Sequence, residues 1–213
     1  EQGSPVNLKA AQHQVKAKKV VIASNIAADG QPHLKDLMVL VTSAVIATER
    51  IPERLKEIGW TGGETVTDSQ SRLNYYRTTR DGRIVYGMGI ADLSYKNRLT
   101  TKVLRNTEGI QEVIRNFHRV YPMLADVPIA YGWSGPIDRT YDGLPLIGQY
   151  RDCKDISYGI GWSGNGVGPS RLGGRILAGL ALEQDNRWTR NRFVNRVGRK
   201  FPPEPLRFIF GSL

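Results

Sequence analysis

The stretch that decides the fold of this chain reads Gly161-Trp162-Ser163-Gly164-Asn165-Gly166-Val167-Gly168-Pro169-Ser170. It follows the short apolar run Ile156 to Ile160, which predicts a buried strand. After it, apolar residues recur at helical spacing, which predicts an amphipathic helix over 166–182. The sequence therefore predicts a strand, a glycine turn and a helix in succession.

The glycine turn has more than one interpretation. Free N–H groups and the dipole at a helix N-terminus favour a negative group, so the turn is a candidate site for a phosphate or for the anionic ring of a reduced flavin. Gly159, Gly161 and Gly164 also have the G-x-G-x-x-G spacing of a dinucleotide-binding turn, which needs an acidic residue about 20 positions later, after a second parallel strand. Glu183 and Asp185 lie at that distance but end the predicted helix, which counts against this interpretation. A helix entry that binds nothing is the remaining alternative.

Most of the other segments predict short strands. Runs rich in Val, Ile, Thr and Tyr predict strands over 20–23, 38–48, 65–68, 73–79, 83–87, 127–133, 144–147 and 156–160. Helices are predicted over 51–59, which has Pro just after its start, and over 107–121, where apolar residues have helical spacing. Because these helices flank the strands without a β-α-β alternation, we expect an α+β fold with a mixed, largely antiparallel sheet.

Segments near the middle of the chain carry candidate binding side chains. The sequence from Leu73 to Gly87 predicts a hairpin that places aromatic rings and guanidinium groups alternately on its two faces. Trp133-Ser134-Gly135-Pro136 ends a predicted strand with an aromatic residue and a break, as the wall of a cavity would. For the hairpin, the alternative is an ordinary sheet with one solvated face.

The composition of the 213 residues excludes several classes of protein. With 40% hydrophobic residues and no low-complexity tract, the chain is not intrinsically disordered, and its longest apolar stretch, around 37–47, is too short to span a membrane. The single cysteine, Cys153, cannot form an internal disulfide or a Cys-based zinc site, and His13, His33 and His118 have no metal-ligand spacing. No signal peptide is recognisable. We therefore expect a metal-free, cytoplasmic globular protein.

The chain is strongly basic, with 30 Lys and Arg against 20 Asp and Glu. The excess is concentrated after Arg187, where seven basic residues accompany one acid, Glu204, and where prolines predict a loose tail. A solvated basic edge is one interpretation of this tail. The other is a non-catalytic module that binds an anionic partner through its basic surface. Nucleic acid is not expected as that partner, because no helix-turn-helix, zinc-finger or RNA-binding-sheet signature is present.

Several segments, taken together, resemble one known family. They are Val20-Val21-Ile22-Ala23-Ser24-Asn25, Thr48-Glu49, the residues from Tyr75 to Arg83, Trp133-Ser134-Gly135-Pro136 with the residues from Asp142 to Gly148, and the stretch from Gly161 to Ser170. In this order and spacing they resemble the C-terminal half of the FAD-dependent D-amino-acid oxidase superfamily, which includes glycine oxidase and sarcosine oxidase. The resemblance covers about residues 15 to 210. Its most specific parts are the Trp-Ser-Gly-Pro segment and the glycine turn.

The resemblance implies FAD as the cofactor and a division into domains. FAD would be held by Ala23, Ser24, Gly161, Gly164, Asn165, Gly166 and Val167. The family's N-terminal strand and G-x-G-x-x-G unit have no counterpart here, so the resemblance implies a fragment that lacks most of its FAD domain and is inactive by itself. Residues 1–30 and 151–186 would belong to that FAD domain, 31–150 would be the substrate-binding domain, and 187–213 a basic tail. The missing FAD-domain segment would be a partner of the chain.

The resemblance also implies an activity, the oxidation of the C–N bond of an amine or amino acid by hydride transfer to FAD. Tyr75, Trp133 and Ile137 would line the substrate pocket. Relatives of the glycine oxidase type have an arginine for the substrate carboxylate where this chain has Ile137, which favours an amine or a substituted amino acid as the substrate. Arg77 and Arg139 remain as alternative ligands of a carboxylate.

Two further positions bear on the flavin chemistry that the resemblance implies. The cysteine that binds the flavin covalently in sarcosine oxidase would fall near Gly135, not at Cys153, so FAD should be bound non-covalently. The oxygen-activating lysine of that enzyme falls near Val85. The resemblance assigns no catalytic residue to this chain.

Overall fold

A computed structural model describes residues 5–70, 72–89 and 92–211. Its strands are β1 (Val6–Ala10), β2 (His13–Ala17), β3 (Val20–Ile22), β4 (Met38–Thr48), β5 (Thr65–Thr67), β6 (Asn74–Thr78), β7 (Ile84–Met88), β8 (Ile129–Thr140), β9 (Leu146–Gln149) and β10 (Ile156–Ile160). Its α-helices are α1 (Pro52–Glu57), α2 (Thr101–Arg105), α3 (Thr107–Val120), α4 (Pro169–Ala181) and α5 (Leu206–Gly211). The chain divides into two compact units. The first comprises the residues up to Leu40 together with Ile137–Arg207, and the second comprises Val41–Pro136 with the residues from Phe208 onwards.

The first unit is built on a sheet in which the described strands follow the order β3, β10, β9. β10 runs parallel to β3, with Tyr158 opposite Ile22, and antiparallel to β9, with Gly159 opposite Ile147. Helix α4 packs on this sheet through buried apolar residues: Ile147, Ile176, Leu177 and Leu180. Gly159 of β10 lies against Leu177 of α4, since a Cβ at Gly159 would be 2.8 Å from Leu177 Cδ1. Both ends of the segment that connects β10 and α4 are therefore held in place.

The first unit also contains a hairpin, β1 and β2, which pair antiparallel with Ala10 opposite His13. The sequence analysis did not predict these strands. Most of β2 is exposed, so no alternation of apolar and polar residues marks it as a strand.

The second unit is built on a sheet in the order β5, β6, β7, β4, β8, with β5, β6, β7 and β4 paired antiparallel. Helix α3 covers one face of this sheet, and the core between them contains Ala44, Ile46, Ile84, Tyr86, Val113 and Phe117. Tyr76 of β6 stacks on Tyr86 of β7 in this core, with ring centroids 5.1 Å apart. Since side chains alternate along a strand, Tyr75 and Gly87, which also oppose each other, lie on the face away from α3.

The beginning of α3 is defined by a buried capping residue, Asn106, which adopts φ +33°. Its side-chain oxygen accepts a hydrogen bond from the Gly109 N–H at 3.0 Å, and its side-chain nitrogen donates to Thr42 Oγ1 of β4 at 3.0 Å. One side chain thus caps the helix and fastens it to the sheet.

The expected α+β fold with a mixed, largely antiparallel sheet is confirmed. The predicted hairpin is confirmed as well: β6 and β7 pair, and Gly82, with φ +80°, closes the turn between them. The predicted helix over 107–121 is observed as Thr107–Val120 and ends just before Pro122.

Two elements differ in extent from the prediction. The strand predicted over 127–133 is β8, which continues through Pro136 to Thr140. β8 is an edge strand of its sheet, and an edge position tolerates a proline because no neighbour needs its missing N–H. The helix predicted from Gly166 begins at Pro169, since Val167 and Gly168 form a turn and proline suits the first helical position.

The segment after Arg187 was expected to be loose, and this expectation was wrong. Val194 forms a β-bridge with Ile147, and the Arg196 guanidinium donates to the Asp142 carboxylate at 2.7 Å. Arginines that the sequence analysis counted as solvated charges therefore have partners within the first unit. The ends of the predicted domains, residues 1–4 and 212–213, lie outside the described residues.

Candidate functional site

The glycine turn, residues Gly161–Gly168, leaves β10 with backbone angles that side chains disfavour. Gly161 has φ +72° and Gly164 has φ +87°, both in the left-handed region. A Cβ at Gly161 would collide with Cγ2 of Thr140, so this position needs glycine for its conformation and for space. Ser163 is 4% exposed and also has a positive φ, +54°. Surrounding contacts must hold such a residue in this conformation.

Those contacts come mainly from Asp138, a residue of β8 that is 1% exposed. Its carboxylate accepts hydrogen bonds from the backbone N–H groups of Gly161 at 2.7 Å and Trp162 at 3.2 Å. Its backbone carbonyl accepts a third hydrogen bond from the Ser163 N–H at 3.3 Å. Consecutive backbone N–H groups therefore hold a buried carboxylate against the glycine turn.

Hydroxyl groups extend this network. Ser163 Oγ accepts a hydrogen bond from the Thr140 N–H at 3.2 Å and donates to the Gly161 carbonyl at 3.1 Å. Thr140 Oγ1 donates to the Leu144 carbonyl at 2.9 Å. The end of β8, the glycine turn and the segment that leads to β9 are thus linked by side-chain hydrogen bonds.

The protonation of Asp138 is set by two opposing effects. Burial raises the pKa of its carboxyl group, and the hydrogen bonds from Gly161, Trp162 and Ser163 act to lower it. Burial is the larger effect, so the pKa lies above its ordinary value of 3.8. The charge of Asp138 therefore depends on the hydrogen bonds that the turn supplies.

The N-terminus of α4 follows the glycine turn and is open to solvent. Val167 is 98% exposed, and none of the described side chains caps the helix at Gly168. Ser170 is the first helical residue with an N–H group, which bonds to the Gly166 carbonyl at 2.9 Å. An exposed, uncapped start of a 13-residue helix can accept an anion. That Gly164, Asn165, Gly166 and Val167 hold a cofactor stays a prediction.

Ala23 and Ser24 follow β3 directly and are exposed. Because β3 is parallel to β10, the residues after Ile22 and the residues after Ile160 lie at the same edge of the sheet. The structure therefore brings Ala23 and Ser24 to the edge from which the glycine turn leaves. In open α/β sheets, ligands bind outside the carboxyl ends of parallel strands.

Ile137 lies against the glycine turn. A Cβ at Gly164 would be in ordinary van der Waals contact with Ile137 Cδ1, at 3.5 Å. Ile137 is half-buried, whereas Arg139, two residues further along β8, is exposed. Ile137 thus presents an apolar side chain beside the turn.

Tyr75 is fixed on the sheet face of the second unit that points away from α3. Its ring covers Gly87, where a Cβ would overlap with the ring atoms. Its hydroxyl lies 2.9 Å from Ser43 Oγ, which also donates to the Met88 carbonyl at 3.1 Å. Gly87 therefore provides the space for the ring, and Ser43 fixes its end.

Trp133 shares that sheet face. A Cβ at Gly132 would lie 2.8 Å from Ile110 Cγ2 of α3, so Gly132 points towards the helix and its neighbours Tyr131 and Trp133 point away from it. Trp133 is 45% exposed. The Arg83 guanidinium lies 5.3 Å from the centroid of the Tyr131 ring. The structure thus places Tyr75 and Trp133 on one face of the second unit, while Ile137 belongs to the first unit.

Arg77, the alternative carboxylate ligand, is exposed on β6 two residues after Tyr75. Its Nε donates to the Thr78 carbonyl at 3.3 Å. Alternation along β6 places Arg77 on the same face as Tyr75.

The sequence analysis missed Asp138, Thr140 and Ser43. The strand that contains Asp138 and Thr140 was predicted to end at Trp133, so neither residue was placed in an element. In the sequence, Ile137 is followed by three polar residues, Asp138, Arg139 and Thr140, so no alternation of apolar and polar side chains extends the strand beyond Pro136. Nothing in the sequence around Ser43 indicates its contact with Tyr75.

The described residues contain no group of His, Cys, Asp and Glu side chains that could hold a metal ion. Within the same residues, each helix is too short or too polar to cross a bilayer.

Comparison with known proteins relates this chain to one enzyme family. The sequence model of that family, described as "DAO: FAD dependent oxidoreductase", matches residues 1–180. The probable oxidoreductase OrdL of Haemophilus influenzae is 31% identical over 192 residues, which cover 88% of this chain and 41% of that protein. Gamma-glutamylputrescine oxidoreductase of Escherichia coli is 31% identical over 201 residues, which cover 93% of this chain and 44% of that protein.

Solved structures show the same fold. Glycine oxidase from Geobacillus kaustophilus superposes with a TM-score of 0.71 at 20% identity, covering 92% of this chain and 50% of that enzyme. L-proline dehydrogenase from P. horikoshii superposes with a TM-score of 0.68 at 22% identity, covering 97% of this chain and 51% of that enzyme. The chain spans less than half the length of the two relatives in sequence and about half the length of the two structures. It belongs to the DAO family of FAD-dependent oxidoreductases.

Proposed function

We propose that this chain is the C-terminal half of a flavoenzyme that oxidises the C–N bond of an amine or amino acid. The observation that carries the proposal is the glycine turn, which Asp138 anchors and which leads into the open N-terminus of α4. The family match over residues 1–180 supports FAD as the group that this turn binds. We further propose that residues 1–30 and 151–186 belong to the FAD-binding domain and 31–150 to the substrate-binding domain.

The residues at the turn fit an anionic part of FAD. Gly168 leaves space beside the backbone, and the exposed N-terminal end of α4, which no described side chain caps, favours negative charge. We propose that Gly161, Gly164, Asn165, Gly166 and Val167 hold the cofactor together with Ala23 and Ser24. FAD, when bound, supplies the acceptor for the hydride that leaves the carbon next to the amine nitrogen. No cysteine lies in the turn, and we propose non-covalent binding.

We propose that Tyr75 and Trp133 form aromatic walls of the substrate site on the second unit. An aromatic face attracts an ammonium group by about 0.5 to 2 kcal/mol, depending on how far both are removed from water. Tyr75 is suited to this role because Gly87 and Ser43 hold its ring in one orientation. A ring that is already ordered loses little conformational entropy when a substrate binds.

Ile137 bears on the choice of substrate. An isoleucine cannot pair with a carboxylate, so this position does not favour a simple α-amino acid. Among the proteins compared, one is by its name a glycine oxidase and another a gamma-glutamylputrescine oxidoreductase. We propose that this chain resembles the second in using an amine or a substituted amino acid.

The test uses the intact protein that contains this chain. We expect it to purify with flavin absorbance that is released on denaturation, and we expect amines to bleach this absorbance without oxygen. The rival function, a non-catalytic module for an anionic partner, has its support in the net charge of +10. That rival predicts no flavin and a steep loss of retention on heparin as salt increases.

A further inference from the structure

A cavity lies in the first unit, away from the glycine turn. Its volume is about 530 Å³, within the range of small-molecule sites. Arg151 and Lys154, in the connection between β9 and β10, line it. Because β9 and β10 are antiparallel, this connection is at the end of the pair opposite to Gly161, which follows the last residue of β10. The cavity is therefore distinct from the proposed cofactor site.

Positive charge surrounds this cavity. Arg151, Lys154, Arg196 and Lys200 line it, and no Asp or Glu is among its described lining residues. Arg196 is occupied, since its guanidinium donates to Asp142 at 2.7 Å and to the Pro145 carbonyl at 2.8 Å. In the described part of the chain, the charged groups of the other three have no hydrogen bond or ion pair, which leaves three cations for a ligand.

A buried polar group without a partner lines the same cavity. Tyr150 is 7% exposed, and its hydroxyl has no hydrogen-bond partner among the described residues. Its ring packs on His33, with centroids 4.3 Å apart. His33 also lines the cavity and lies 3.3 Å from the Asp152 carboxylate. A buried hydroxyl that the protein does not satisfy is a feature that a bound molecule can explain.

The cavity wall is ordered by hydrogen bonds. The side-chain nitrogen of Gln149 donates to the Lys154 carbonyl at 2.6 Å, which fixes the loop that carries Arg151 and Lys154. Asn195 Oδ1 accepts from the Gln149 N–H at 2.8 Å, which joins this loop to the segment that carries Lys200. The cations are thus attached to backbone that side-chain hydrogen bonds hold in place.

We propose that this cavity binds a small phosphate-bearing molecule. Three unpaired cations are best neutralised by a group with several negative charges, and phosphate oxygens match both the guanidinium fork and the ammonium group. Tyr150 lines the same cavity, and its hydroxyl supplies a further donor. This proposal does not depend on the proposed function, since none of its residues belongs to the cofactor or substrate site.

The test measures binding of inorganic pyrophosphate to the FAD-loaded intact protein by calorimetry, so that the cofactor already fills its own site. We expect saturable binding with a Kd below about 1 mM. The variant Arg151→Gln/Lys154→Gln should weaken it by about tenfold or more. Lys16→Gln/Arg192→Gln is the matched control, because it removes two exposed charges outside the cavity and should leave the Kd unchanged. Tyr150→Phe should weaken binding several-fold without lowering the melting temperature.

Three results would overturn the proposal. The first is the absence of saturable pyrophosphate binding. The second is a loss of pyrophosphate affinity in Lys16→Gln/Arg192→Gln equal to that in Arg151→Gln/Lys154→Gln. The third is a protein that heparin or DNA retains but that does not bind pyrophosphate. Tighter binding of citrate than of pyrophosphate would overturn the assignment to phosphate chemistry. If Arg151→Gln/Lys154→Gln does not fold, Lys200→Gln tests the contribution of another cation that lines the cavity. If the flavin spectrum stays unchanged while pyrophosphate binds, the pyrophosphate occupies a site separate from the cofactor site.

Discussion

The carboxylate of Asp138 lies 2.7 Å from the backbone nitrogen of Gly161, and this hydrogen bond joins β8 to the turn that follows β10. It is buried and accompanied by a second bond from the Trp162 N–H at 3.2 Å. Gly161 has a positive φ, and its conformation is maintained by a residue 23 positions earlier in the chain. The shape of the candidate cofactor site therefore depends on a side chain of a different element.

Replacing Asp138 by alanine should destabilise the chain. The change leaves the N–H groups of Gly161 and Trp162 buried without acceptors, which costs about 1 to 3 kcal/mol for each group left unsatisfied. Urea unfolding measures the loss. Arg139→Ala is the matched control, since Arg139 is exposed and its removal should change the free energy of unfolding by less than about 0.5 kcal/mol. Equal effects of the two substitutions would contradict the anchoring role.

The ionisation of Asp138 should make stability depend on pH in a defined direction. Its folded-state pKa is raised by burial, so its contribution is fully present below its ordinary pKa of 3.8 and is lost as the pH rises through the raised value. The stability of the wild type relative to Asp138→Asn should therefore fall as the pH increases from 3.8 through that raised value. Carboxyl groups with lowered pKa, such as Asp142 and Asp185, act in the opposite direction but are present in both proteins. A difference that rises with pH would show that the hydrogen bonds outweigh burial.

Alanine at Gly161 and at Gly168 should have different effects. Gly161 combines a positive φ with a collision between the new Cβ and Thr140, so the substitution should cost about 1 to 3 kcal/mol of folding free energy. Gly168 has φ −81° and open space around its Cα, and its substitution should change the stability little. Thr140→Ser removes the methyl group that collides and should recover part of the loss at Gly161. Thermal melts of Gly161→Ala, Gly168→Ala, Thr140→Ser and the double variant Gly161→Ala/Thr140→Ser measure these stabilities. If Thr140→Ser recovers none of the stability lost in Gly161→Ala, backbone strain alone is responsible for that loss.

The isolated 213-residue chain should bind FAD weakly. The glycine turn offers an anion site, but the resemblance finds no counterpart among these residues of the family's N-terminal strand and G-x-G-x-x-G unit, which hold the pyrophosphate. Equilibrium dialysis with FAD measures the affinity, and the intact protein provides the comparison. A Kd of about 1 µM for the isolated chain would show that the turn is sufficient by itself.

The substrate proposal predicts a preference for amines or substituted amino acids over small α-amino acids. Trp133→Ala should lower kcat/KM for amines, because it removes an aromatic face worth about 0.5 to 2 kcal/mol. Ile137→Arg should raise kcat/KM for substrates with a free carboxylate, since a guanidinium pairs with it directly. Steady-state kinetics of the intact enzyme with both substrate classes tests these effects. A preference for small α-amino acids that Ile137→Arg leaves unchanged would assign the carboxylate to Arg77 or Arg139.

Local patterns predicted much of this fold. The helical spacing of Val113 and Phe117 predicted α3 to within one residue of its observed end, and Gly82 marked the turn of the β6–β7 hairpin. In both cases the residues that determine the element lie within a few positions of one another. The extent of β8 was missed because Pro136 is an interruption in a sequence pattern, whereas an edge strand accommodates it.

The sequence by itself determined the class of fold, the order of its elements and the glycine turn between β10 and α4, because strand alternation, helical periodicity and turn residues act over short stretches of chain. Only the tertiary structure decided that Asp138 anchors this turn, that Gly87 makes room for Tyr75, and that Tyr150 lines a basic cavity with a hydroxyl that has no hydrogen-bond partner among the described residues. Each of these features joins residues that are far apart in sequence. Their contact depends on strand register and packing, which leave no periodic signal in the sequence around any one of them.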